Sequence, residues 1–309
     1  MIQGVTYEDE LHLEVHYGSD LVESDVLVVI QDMLIRRAPK VAGSLEVHGF
    51  ERDPDLILVD LADPRSLSQA VVTKGVERGE AFADLARRHG AARYPRRFGS
   101  VLLRGRGAGT GGLRMAIDFD AHVPARAMGT NWLWSNTVSF SVSSSRVDRS
   151  ERQDWIVGLV AELVERTSVL WGAAYLNGEF RQSNLHNGPD GMWAIGRDMR
   201  TSLPGLFWLN IFGAPYVALF GESRLITVPS HQIDQRKGQV ILRAYEDAQT
   251  WPSQVDVKRS LIAAIGPDFF FDRNDPDRPH RSPDFGLRDL EPAPALRVLT
   301  DGETYTELP

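Results

Sequence analysis

The sequence predicts an α+β protein with mixed or mainly antiparallel sheets covered by helices and an extended proline-rich C-terminal tail. Short runs with period-two alternation predict the strands, and single apolar stripes at helical spacing predict the helices between them. A regular βαβ alternation is absent, which argues against a doubly wound parallel sheet. With 309 residues, 42% of them hydrophobic, the chain is long and apolar enough to bury one large core or two modest ones.

The first strand is predicted over Leu11 to His16, where Leu11, Leu13 and Val15 alternate with His12, Glu14 and His16. A helix follows, because Leu21, Val22, Val26, Val29, Ile30, Met33 and Leu34 recur at helical spacing. Arg36 and Arg37 suit its C-terminal end, and Pro39 stops it. Strands are predicted at Ser44 to Phe50 and Leu56 to Leu61. Asp63 with Pro64 then opens a helical stretch that closes by Gly90.

The stretch Ala91 to Gly99, rich in arginine and proline, divides an N-terminal α+β subdomain, 1–97, from a C-terminal α+β domain, 98–271. Strands are predicted at Val101 to Arg104, Leu113 to Asp120 and Trp132 to Ser143. The next helix has the clearest signature: Ser150 with Gln153 reads as a capping box, and Trp155, Ile156, Leu159, Val160, Leu163 and Val164 form one stripe. That pattern predicts core on one side of the sheet. Strands near Val169 to Tyr175, Leu206 to Phe212 and Gln239 to Tyr245 follow, with a helix over Lys258 to Ile265. From Asp272, Pro276, Pro279, Pro283, Pro292 and Pro294 among mixed charges predict the tail, 272–309.

Thr201 to Gly221 carries no charge and is long enough to span a membrane. Pro204, Gly205, Asn210, Gly213 and Pro215 break it, so it is read as a strand and a short helix at the centre of a water-soluble core.

Composition narrows the function. Lys+Arg 34 against Asp+Glu 42 gives a net charge of -8, which argues against nucleic-acid and anionic-membrane partners and favours a neutral or basic protein. Cys 0 removes disulfides, thiolate nucleophiles and cysteine-ligated zinc. Glu8, Asp9 and Glu10 stand where a secretory signal would carry basic residues, so a cytoplasmic location is expected.

Each chemical candidate has a plainer reading beside it. His12, Glu14 and His16 offer zinc or iron ligands on one strand face, the basis for a metal-dependent hydrolase. Residues two apart on a strand lie nearly 7 Å from one another, so a wet polar sheet face is the simpler account. Leu13-Glu14-Val15-His16 recurs as Leu45-Glu46-Val47-His48, which would bring Glu46 and His48 alongside if the two strands paired. Asp118 and Asp120 share a strand face with Arg114 and read as surface ion pairs. The glycines at 105, 107, 109, 111 and 112 open no helix and lack a phosphate-loop ending. Arg87, Arg88, Arg93, Arg96 and Arg97, with Tyr94 and Phe98 among them, make a basic cluster; Arg93, Tyr94, Arg96 and Arg97 are its candidate binding residues. No catalytic residue, metal or cofactor is assigned, and no enzyme is expected.

Trp208-Leu-Asn-Ile-Phe-Gly-Ala-Pro215, within the uncharged run and followed by Val228-Pro229 and Val240 to Tyr245, resembles a segment of bacterial immunity proteins of type VI secretion and polymorphic toxin systems. The resemblance spans roughly residues 130–250. It implies a protein that binds a cognate toxin and neutralises it without chemistry of its own. Trp208, Asn210, Phe212, Gly213 and Pro215 match the segment, and their spacing in a strand and turn suggests a structural role.

Overall fold

The computed structural model describes residues 10–18, 21, 25–37, 44–48, 55–60, 62–74, 99–106, 113–119, 136–142, 149–188, 191–194, 199, 201–275, 278–283 and 297–298. It is an α+β protein built on one ten-stranded sheet. In chain order the elements are β1 (Leu11–Tyr17), α1 (Val26–Arg37), β2 (Ser44–His48), β3 (Ile57–Leu58), α2 (66–74), β4 (Gly99–Arg106), β5 (Leu113–Phe119) and β6 (Asn136–Val142). There follow α3 (Arg149–Arg166), β7 (Trp171–Leu176), α4 (Asn177–Asn184), β8 (Leu185–Gly188), β9 (Gly191–Ala194), β10 (Leu209–Phe212), α5 (Ala214–Phe220) and α6 (Glu222–Leu225). The last are β11 (Gln232–Arg236), β12 (Gln239–Arg243), α7 (Val255–Ile265) and β13 (Arg297–Val298).

The sheet order is β11-β12-β10-β7-β1-β6-β5-β4-β2-β3, and every pairing is antiparallel. Strands from before and after residue 97 share this sheet, with β1 held between β6 and β7. The echo strands do not meet. β1 and β2 are separated by β6, β5 and β4, so Glu46 and His48 do not come alongside the β1 histidines.

One face carries the expected core. Leu11, Leu13 and Val15 are at most 2% exposed, and the stripes Val26, Leu27, Ile30, Met33, Leu34 on α1 and Ile156, Leu159, Val160, Leu163, Val164 on α3 are buried with them. Removing that much apolar surface from water is the main stabilising term. Across the exposed seam between the two helices, Arg36 bonds Asp32 at 2.8 Å and also Glu162, while Arg166 joins Asp32 and Glu162. Hydrogen bonds from Arg36 and Arg166 hold the Asp32 carboxyl below the usual carboxylate range.

The C-terminal end of α3 is closed by Gln239 of β12, which is buried. Its amide donates to the Val164 and Thr167 carbonyls at 3.0 and 2.9 Å and accepts from the Val169 amide at 2.8 Å. A helix end buried in this way needs such partners. At the other end Gln153 departs from the capping box expected of it: it bonds Asp247 at 2.7 Å and accepts from Ala248, tying α3 to the turn after β12.

Helices also cover the second face, where one-sided cover was expected. The reason lies in β7 and β10, whose alternate residues Trp171, Tyr175 and Phe212 are large aromatics on that face and require cover of their own. Tyr175 stacks on Phe180 of α4 at 5.2 Å, and Phe212 meets Phe220 of α5 edge-on at 5.2 Å.

The uncharged run becomes β10 and α5. Leu203, Leu206, Phe207, Trp208, Leu209, Ile211, Phe212, Tyr216 and Phe220 are all at most 3% exposed. Among the described residues no helix is long and apolar enough to cross a membrane. Within the tail, the Arg281 amide donates to the Asp268 carbonyl at 2.8 Å with its guanidinium 5.2 Å over Phe269, and β13 extends the small β8–β9 sheet.

Candidate functional site

The face of β1 that bears His12, Glu14 and His16 is closed over Glu14 and His16, while His12 stays partly exposed. Glu14 is 4% and His16 0% exposed. Antiparallel register sets His16 between Thr137 and Trp171, Glu14 between Ser139 and Ala173, and His12 between Ser141 and Tyr175. A central strand has partners on both edges, so alternation predicts which residues share a face but not what lies over it.

These side chains bond to one another. Glu14 Oε1 lies 2.5 Å from His16 Nε2, and Tyr175 donates its hydroxyl to Glu14 Oε2 at 2.9 Å. Thr137 Oγ1 stands 3.2 Å from His16 Nδ1, and the His16 ring tilts against Trp171 at 5.2 Å. The result is a Thr137–His16–Glu14–Tyr175 chain crossing three strands. His12 makes a separate group: Ser141 Oγ is 2.6 Å from its Nδ1, Glu10 Oε2 is 3.6 Å from its Nε2, and Tyr175 stacks on its ring at 6.0 Å.

His16 commits both ring nitrogens and Glu14 both oxygens to protein partners, while His12 bonds through Nδ1 and its Nε2 makes no hydrogen bond to a described residue. Among the described residues no group of three or more such side chains is placed to hold a metal ion. Chemically the chain Thr137–His16–Glu14–Tyr175 can order protons and pin three strands in register. Replacing Glu14 by Gln is expected to cost about 1–2 kcal/mol, since one acceptor oxygen becomes a donor facing the bonded His16 or Tyr175. Urea unfolding at constant m-value measures it, and an unchanged midpoint would contradict the bonding.

Elsewhere, β5 sets Asp118 opposite Thr137 and Arg114 opposite Ser141, while Asp120 lies outside the described residues. Gly105 belongs to β4, and the glycines at 107, 109, 111 and 112 are outside. Arg93, Tyr94, Arg96 and Arg97 also lie outside the described residues.

The Trp208 to Pro215 segment is in the interior. Trp208 is fully buried, with its indole N–H 3.4 Å from the Glu246 carbonyl and Arg243 stacked at 5.4 Å. Asn210 folds back on its own strand: its amide oxygen accepts from Phe207 N at 3.0 Å and its amide nitrogen donates to Phe207 O at 2.8 Å. Gly213 donates to the Leu170 carbonyl at 3.0 Å, and Pro215 sits in the first turn of α5.

Sequence reasoning missed a second polar centre. Glu179 of α4 is fully buried, accepting from Tyr245 Oη at 2.7 Å and from Lys258 Nζ of α7 at 3.1 Å. Burial pushes its carboxyl up, against the Lys258 charge and the hydrogen bonds from Tyr245, Lys258 and the Trp208 backbone. Burial and the neighbouring Glu179 charge push the Tyr245 hydroxyl up as well. The three residues come from elements far apart in the chain, and the short polar run Asn177 to Asn184 carries no apolar stripe to mark a helix.

No protein-family model matches the chain, and no curated protein matches it. Among solved structures it is similar to a Pseudomonas aeruginosa T6SS protein, at 11% identity and a TM-score of 0.44, over 93% of this chain and 87% of that one. At that score the likeness bears on neither fold nor function.

Proposed function

We propose that this chain is an immunity-type protein that binds a cognate bacterial toxin and neutralises it by occupying its surface, without turnover. The observation that carries the reading is the fate of the most reactive-looking residues. Glu14 and His16 are buried and bonded to each other, so a substrate has no access to them. A second support is the segment that resembles immunity proteins: Trp208, Asn210, Phe212 and Gly213 are core and turn residues, the kind that a shared scaffold would retain while its binding surface varied. On this reading the partner is a neutral or basic protein, and affinity comes from a few aromatic and charged surface anchors.

The test is co-purification. The tagged chain, expressed in its host under conditions that produce the toxin, is expected to retain one dominant protein at fixed stoichiometry, and co-expression is expected to relieve that protein's toxicity. Replacing His12 by Ala should leave relief intact where the fold survives, because on this reading His12 does no chemistry. Recovery of no partner, or of one whose toxicity co-expression leaves unchanged, would overturn the reading.

A further inference from the structure

The sheet has two ends, and they differ. β3 is two residues long, whereas β11 is a five-residue strand without proline or a bulge, paired on one side by β12. Among the described residues no strand pairs with its other side. Gln232 and Gln235 are exposed, and Ile233 is partly buried against the core. An edge of this kind is a template for another strand unless charge or shape protects it.

The usual protection is weak here. Asp234 and Arg236 neutralise each other at 2.7 Å, so Gln232–Arg236 itself carries no net charge, and the nearby Glu222 carboxylate is engaged by the Gln235 amide at 3.0 Å. The turn that follows is tight: Lys237 and Gly238 have φ of 48° and 74°, the pair of positive values that a two-residue hairpin requires. That turn fixes one end of the edge.

We propose that β11 pairs antiparallel with β11 of a second copy of this chain, about a two-fold axis at Gln235. Charge separates this register from one centred on the middle residue of the strand. An axis at Asp234 would set the two Asp234 carboxylates directly opposite, and like charges so placed are destabilising. An axis at Gln235 instead sets each Asp234 opposite the other copy's Arg236, giving two cross-strand pairs in place of two pairs within strands. The symmetry is isologous, as most homodimers are. The strand-to-strand pairing covers Asp234–Arg236, bounded on each side by the other copy's Lys237–Gly238 turn, and joins the two sheets edge to edge. It leaves the β1 site untouched and does not depend on the toxin-binding reading.

The test is mass in solution, by light scattering on a size-exclusion column over a concentration series. The wild-type chain is expected to approach twice its 34.5 kDa as concentration rises. Asp234→Arg makes the strand cationic and is expected to run as a monomer, with near-UV circular dichroism reporting an intact fold. Adding Arg236→Asp restores opposite charges across the axis and is expected to restore the dimer. A wild-type chain that stays monomeric throughout would overturn the proposal. So would a dimer that survives Asp234→Arg, or β11 amides protected from hydrogen exchange only when a different protein is added.

Discussion

Replacing Gly213 by Ala is expected to stop the second half of the sheet from closing. Gly213 lies where the end of β10 crosses the backbone just before β7, close enough that its amide bonds the Leu170 carbonyl at 3.0 Å. A Cβ there would sit 2.6 Å from the Leu170 carbonyl oxygen and closer still to that of Val169. The φ of -70° is ordinary for any residue, so the requirement is space alone and not backbone conformation. Both obstructing groups are main chain, which has no rotamer to yield. Overpacking in cores costs about 1–3 kcal/mol where side chains can shift, and more where they do not. A loss of at least about 3 kcal/mol is therefore expected, seen as insoluble expression or a collapsed thermal midpoint. Gly205→Ala makes a useful contrast: it has open space around its Cβ position but a φ of 146°, so its cost is conformational. A Gly213→Ala chain with a wild-type midpoint would show that β10 does not pass over residues 169–170 as described.

The glycine was visible in the sequence as part of a distinctive segment, but its reason was not. Local patterns carried far. The alternation of Leu11 to His16, the stripe on α3 and the breaks at Pro204 and Pro215 each led to the right kind of element. What they lacked was long-range placement. β1 pairs with β6 about the Thr137–His16 contact, across 121 residues of chain, and no local period encodes that partner. The consequence was a wrong expectation for the face of Glu14 and His16, since alternation reads the same for a wet face and for one buried under a second layer. The Gln153 reading failed for a related cause. A glutamine three residues after a serine fits a capping box, yet a tertiary partner, Asp247, claims it. Short elements such as α4, β8 and β9 have too few residues for any period to show, and Glu179 went unremarked on one of them.

Glu179 and Lys258 carry the other large effect. Removing Lys258 leaves Glu179 buried without its counter-charge, which costs about 3–5 kcal/mol in comparable pairs. Lys258→Met is expected to fall in that range, because Glu179 is wholly buried and retains only the Tyr245 hydroxyl and the Trp208 amide to satisfy it. Lys258→Met combined with Glu179→Met is expected to recover most of the loss, since replacing a whole buried pair by apolar groups of similar size is often neutral. The pH dependence supplies an independent check. Burial raises the folded carboxyl above its unfolded value, so the folded state holds the proton more tightly between the two. Its contribution is then fully present below the unfolded value and is lost as pH rises through the folded one. Relative to Glu179→Gln, which does not titrate, the wild type should lose stability as pH climbs out of the ordinary carboxylate range. A difference that grows with pH instead would mean that Lys258 outweighs burial and holds the carboxyl down. The double replacement distinguishes an ion pair kept for stability from one kept for placement. If it restores the midpoint but lets α7 exchange its amides faster, the pair acts chiefly to fix where α7 docks on α4.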